Sequence, residues 1–167
     1  MVVEVQSEWE KRVKECLDST TIASLATSDE VGVWAANVYF SYDEKFNIYF
    51  ISSASTRHMK AIKSNPKVAL AIFKPQSAID AYQIGLQIEG TAAIVPDNDI
   101  EGVYATRSKK LARNGTELPK PNEGHFIKEH GGVFIKVIPS SMSYVNTLLF
   151  GGNSAKVPLG ELVKDGK

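Results

Sequence analysis

The sequence predicts a mainly β domain: a small antiparallel barrel of six or seven strands, closed or partly open, with short helices packed outside. Three observations predict it. After one helical stretch the hydrophobic period drops from 3.6 to 2. Turn-forming clusters then recur between short alternating segments. Strands of this kind, left as an open sheet, expose edges that closure removes. At 167 residues and 18.3 kDa the chain fits one domain with a core of its own.

The helix comes first, expected over residues 7–18. Ser7-Glu8-Trp9-Glu10 reads as a capping box. Trp9, Val13, Cys16 and Leu17 form one apolar stripe, which makes Cys16 a small buried hydrophobe. The barrel is expected from about residue 20. A first strand runs from Thr20 to Thr27, and Ser28-Asp29-Glu30-Val31-Gly32 supplies the turn. A second alternates from Val33 to Ser41, with Trp34 and Phe40 expected in the core. A third runs from Phe46 to Ser53, after Asp43-Glu44-Lys45.

A short helix from Thr56 to Ser64 stops at Asn65-Pro66, because proline disfavours helical geometry in the residue before it. Lys67 to Lys74 is a fourth strand and Gln83 to Val95 a fifth, in which Gly90 marks a bulge or a barrel corner. Pro75 to Tyr82 lies between them as a loop. Asp97 caps a third helix that is acidic at its start and basic at its end (Arg107, Lys109, Lys110, Arg113), matching the helix dipole. Asn114 to Glu129 is a loop. Gly132 to Ile138 is a sixth strand, and Met142 to Thr147 adds a seventh beyond a break at Pro139. The last fifteen residues read as loosely ordered. The domain is therefore drawn at 1–151, with 152–167 as a C-terminal tail.

Composition removes several function classes. Lys+Arg and Asp+Glu both number 19, so the formal net charge is zero, without the basic excess that displaces counterions from nucleic acid. One cysteine excludes an intramolecular disulfide and a cysteine-built zinc site. No apolar run approaches the ~20 residues of a membrane-spanning helix. Met1 to Gln6 has neither the basic nor the apolar segment of a signal peptide, so a cytoplasmic protein is expected. His125 and His130, with Glu123 and Glu129, match no zinc spacing, and no metal is expected.

The chemistry concentrates in Ser52-Ser53-Ala54-Ser55-Thr56-Arg57-His58-Met59-Lys60. A strand ends here and a helix begins, so unpaired amides face outward at a positive dipole end. Hydroxyls, a guanidinium, an imidazole and an ammonium lie within nine residues, and Arg57 can grip a phosphate through two parallel N–H groups. Residue types alone support two readings, a phosphate cradle or an ordinary N-cap by Ser53 or Ser55, and the second is the commoner.

The order of elements adds to this. Three strands, then Thr56-Arg57-His58, a short helix, Asn65-Pro66-Lys67-Val68-Ala69-Leu70 and a strand ending in Glu89-Gly90 resemble the pyridoxamine 5′-phosphate oxidase-like FMN-binding split-barrel family. Ala36-Asn37 and Thr147-Leu148-Leu149-Phe150-Gly151 are similar to segments of its small uncharacterised bacterial members. The resemblance implies a split β-barrel homodimer with FMN at the subunit interface. The phosphate would rest on Thr56, Arg57 and His58, at the cradle that Ser52 and Ser53 enter. The ring would lie along the second and third strands, on backbone groups of Ala36, Asn37, Val38, Ile51 and Ser52.

Three departures matter. The oxidase carries a basic residue on its second strand and an Arg-x-His-x-Arg motif near its end. Val33 to Tyr42 has no basic residue, and the only arginines are Arg12, Arg57, Arg107 and Arg113. A lysine is usual where His58 stands. The resemblance therefore implies an FMN-dependent oxidoreductase acting by hydride transfer on a small molecule other than pyridoxine phosphate. Its catalytic side chains are unassigned, since the flavin carries the redox chemistry. The alternatives are a flavin-binding or stress-associated module without turnover, and a split barrel holding haem or a deazaflavin. For haem, only His58, His125 and His130 are available as ligands.

Overall fold

The computed structural model describes residues 2–74, 82–112 and 131–162. The expected loops at 75–81 and 114–129, with Arg113, Glu123, His125, Glu129 and His130, lie outside the described residues, as do the side chains of Lys109 and Lys110. In chain order the elements are α1 (Val2–Asp18), β1 (Ile22–Asp29), β2 (Gly32–Tyr42), β3 (Ile48–Ser53), α2 (Arg57–Ser64), β4 (Lys67–Phe73) and β5 (Ile84–Ile94). A 3₁₀ turn (Asp97–Asp99) leads into α3 (Ile100–Ala112). Then come β6 (Gly132–Asn146), α4 (Thr147–Phe150), β7 (Ser154–Lys156) and α5 (Leu159–Leu162).

Six strands close a barrel in the order β3-β2-β1-β4-β5-β6, with β6 returning to β3, and every pairing is antiparallel. Alternation fills it: Leu25, Phe40, Ile48, Phe50, Leu70, Ile72, Leu86, Ile88, Ile135, Val137 and Met142 are all buried in one core. The α1 stripe joins this core through Val13, Cys16 and Leu17, while Trp9 meets Tyr144 edge to face at 6.0 Å. A second cluster (Tyr49, Val95, Val103 and Phe134, flanked by Ile51, Ile100 and Tyr104) seats α3 on the outer face of β3 and β6, where it also lies against β2.

Four expectations are corrected. The chain is already helical from Val2, so the Ser7 box does not start α1. Residues 132–146 form one continuous strand and not two. Pro139 is tolerated because the β5–β6 register shifts between Glu89 and Gly90, directly opposite it. A Cβ at Gly90 would stand 2.6 Å from the Ile138 carbonyl oxygen, so only glycine lets the strands approach at this bulge. Third, Ile94, which alternation places on one face of the fifth strand with Ile84, Leu86, Ile88 and Ala92, is exposed. Fourth, the tail is ordered over Ser154–Leu162. There β7 pairs with Ser143–Val145 of β6, and Val157 and Leu162 are buried.

The barrel has one incomplete seam. The β2–β3 ladder covers only Phe40↔Phe50, Ser41↔Tyr49 and Tyr42↔Ile48. Beyond it β2 stays paired with β1 as far as Asp29↔Gly32, and β3 stays paired with β6 as far as Ser53↔Gly132, but the two strands no longer pair with each other. The N-terminus of α2 follows directly from that opened end of β3.

Candidate functional site

Thr56 is the N-cap of α2, with extended backbone (φ −66°, ψ 156°). Its hydroxyl donates to the Ser53 carbonyl at 2.9 Å, so no side chain caps the helix. This corrects the expected cap by Ser53 or Ser55, whose hydroxyls bond each other at 2.9 Å. The first-turn amides of α2 are thus left without a side-chain acceptor, and no acidic residue stands in that turn. An uncapped helix start with free N–H groups is a site for an anion.

Behind it lies a compact polar cluster. His58 Nε2 is 2.6 Å from the Ser52 hydroxyl and 3.2 Å from the Thr56 hydroxyl, and the two hydroxyls are 3.2 Å apart. Ser52 is buried at the end of β3, and the His58 ring is half-buried beside Phe50. Burial holds the imidazole below its ordinary pKa of 6.5, which keeps it neutral near pH 7. Ser52, Thr56 and His58 are therefore brought together, with the Ser53 carbonyl accepting from Thr56.

Arg57 is exposed at the first position of α2, and its guanidinium carbon sits 4.6 Å from the centre of the Trp34 ring. Trp34 was expected in the core with Phe40. Phe40 is there, but Trp34 is 44% exposed, because it stands on the part of β2 that has lost its β3 neighbour. No sequence pattern joins residues 34 and 57; only the seam brings them into contact.

On β2 the expected trio separates. The Phe40 amide donates to the Thr21 carbonyl, so even-numbered residues of β2 point their backbone groups at β1 and odd-numbered ones at the seam. Asn37 presents its amide and carbonyl to the opening, whereas Ala36 and Val38 use theirs in the β1 ladder. The same alternation aims Ile51 at the seam and Ser52 at β6. The Asn37 side chain turns away and accepts from the Ser24 hydroxyl at 3.0 Å.

Among the described residues no three of His, Cys, Asp and Glu gather as a cation site, and no helix is long and apolar enough to cross a membrane.

A closed six-stranded barrel opened along one seam beside a helix N-terminus defines the split-barrel class. The chain belongs to the pyridoxamine 5′-phosphate oxidase family, whose sequence model matches residues 9–128. It is 31% identical over 84 residues to a UPF0306 protein of Pasteurella multocida, covering 50% of this chain and 56% of that protein. The chain spans about half the length of the curated relatives it matches. Two solved structures share the fold at low identity. A haem-binding protein from Mycobacterium smegmatis superposes with a TM-score of 0.71 at 15% identity, over 92% of this chain and 59% of that one. A FAD-binding protein from Mesorhizobium loti gives 0.60 at 14% identity, over 80% and 91%.

Proposed function

We propose that the chain binds FMN at the opened β2–β3 seam, as a homodimer with the cofactor at the subunit interface, and serves as an oxidoreductase for a small molecule. The observation that carries this reading is the uncapped start of α2. Free first-turn amides and the Ser52 and Thr56 hydroxyls lie there, with Arg57 at the first position of the helix and no acidic residue in the turn. That donor set fits a phosphate. The flavin ring needs one amide or carbonyl for each of its polar edge atoms, and the backbone of Asn37 and Ile51 faces the seam to offer them. FMN, when bound, supplies hydride chemistry without requiring a catalytic side chain.

The dimer reading is supported by the outer face of β2, β1 and β4. Val33 (82% exposed), Tyr39, Ile22 and Phe73 are exposed on this face, which also holds a shallow depression lined by Ala26, Ala35, Ala69 and Ala71 together with Ser24, Gln87, Glu89 and Lys156. So much exposed apolar surface on one sheet face suits a second copy of the same face.

Haem is the competing occupant, and the fold likeness to the Mycobacterium smegmatis protein favours it. Against it, the Nε2 of His58, one of the three candidate ligands, is engaged by Ser52 and Thr56. The absorption spectrum of the purified protein, titrated in turn with FMN and with haemin, decides between them. Flavin bands with saturable FMN uptake support the proposal, and a Soret band with haemin alone overturns it. Light scattering should give roughly twice 18.3 kDa, and a reoxidation assay separates turnover from mere binding.

A further inference from the structure

We propose that Trp34 is a positioning residue for Arg57, and that through it the site prefers a phosphorylated ligand to its unphosphorylated parent. This rests on the FMN reading above. The indole is large, half-exposed and set on the strand segment that has lost its β3 neighbour. The Arg57 guanidinium lies over its face at 4.6 Å, well within the ~6 Å of a cation–π contact.

Arg57 makes no hydrogen bond or ion pair with any other described residue, so the indole is what defines where its head group sits. A guanidinium that stacks on a ring face keeps its edge N–H groups available to an anion. A long, exposed arginine otherwise samples many rotamers. The contact also links β2 to α2 across the seam, between two elements that no strand ladder joins at this point.

The test is a flavin-fluorescence titration of the full chain with FMN and with riboflavin, using wild type, Trp34→Leu, Trp34→Phe, Arg57→Ala and the Trp34→Leu/Arg57→Ala double variant. Thermal melts of each confirm folding. Trp34→Leu should weaken FMN by about 3- to 30-fold, the range of a cation–π contact, and leave riboflavin unchanged. Trp34→Phe should recover most of the loss. In the Arg57→Ala background, Trp34→Leu should have no further effect. Equal losses for FMN and riboflavin would mean that Trp34 touches the ring, and overturn the proposal. So would a full loss persisting in the double variant, or no loss at all. A wild type that binds neither flavin removes the FMN reading and this proposal together, whereas the other failures leave that reading standing.

Discussion

The two ends of β3 are both short polar turns, yet they are finished in opposite ways. At the entry, Asp43 accepts four hydrogen bonds: from the Lys45 and Asn47 amides, the Asn47 side chain and the Tyr49 hydroxyl, all at 2.8–2.9 Å. That turn is complete in itself, and it holds Phe46 at a positive φ of 61°. At the exit, the hydroxyls bond to one another and to His58, while the helix that follows is left uncapped. A turn whose donors and acceptors are matched stabilises the fold. One that keeps unmatched donors of a single charge type, beside an arginine and an opened seam, is arranged for a ligand that brings the acceptors.

The largest effect expected from this contrast is on stability at the entry. Asp43→Ala removes the acceptor of four donors and should cost about 2–4 kcal/mol, lowering Tm by roughly 5–15 °C. FMN affinity of the folded variant should be unchanged. Calorimetry paired with an FMN titration checks both halves.

The exit should behave in the reverse sense. Ser52→Ala deprives the cradle of one hydroxyl, but Thr56 remains within reach of His58 Nε2. Stability should fall by no more than about 1 kcal/mol, while FMN weakens about 5- to 10-fold and riboflavin does not. An equal loss of both flavins would place the phosphate elsewhere.

The smallest effects are in pH dependence, where the two ends separate by sign. His58 is held below 6.5 in the fold, so the unfolded chain takes up its proton first. Its contribution to stability is present above pH 6.5 and is lost as pH falls through the lowered value. Tyr49 is raised above its ordinary 10.0 by burial and by its bond to Asp43, so its contribution is present below pH 10.0 and lost as pH rises further. Tm measured against pH should therefore flatten on the acid limb in His58→Gln and on the alkaline limb in Tyr49→Phe. Exchange of the two outcomes would contradict the assignment.

Much of the fold was legible because its signals are local. Period-two alternation marked strands β1 to β5, and Asn65-Pro66 marked the end of α2. What escaped depends on partners distant in the chain. β7 is three residues long and exists through its ladder with Ser143–Val145. β6 passes Pro139 because its register against β5 shifts at Gly90, some fifty residues earlier. At the site, the hydroxyl–imidazole cluster was legible within one stretch of sequence. The exposure of Trp34 and the outward turn of the Asn37 side chain were not. Alternation tells which face a residue shares, but not where along its length a strand loses its neighbour.

The central claim is that a phosphate sits at the start of α2 in the grip of Arg57. It is tested most directly by titrating the apo wild type and Arg57→Ala with FMN and with riboflavin. Two charge-assisted hydrogen bonds are removed, so FMN should weaken by about 30- to 1000-fold while riboflavin changes far less. Arg57→Lys should restore only part of the loss, because an ammonium keeps the charge without the fork. An unchanged FMN affinity, or equal losses for the two flavins, would contradict the claim.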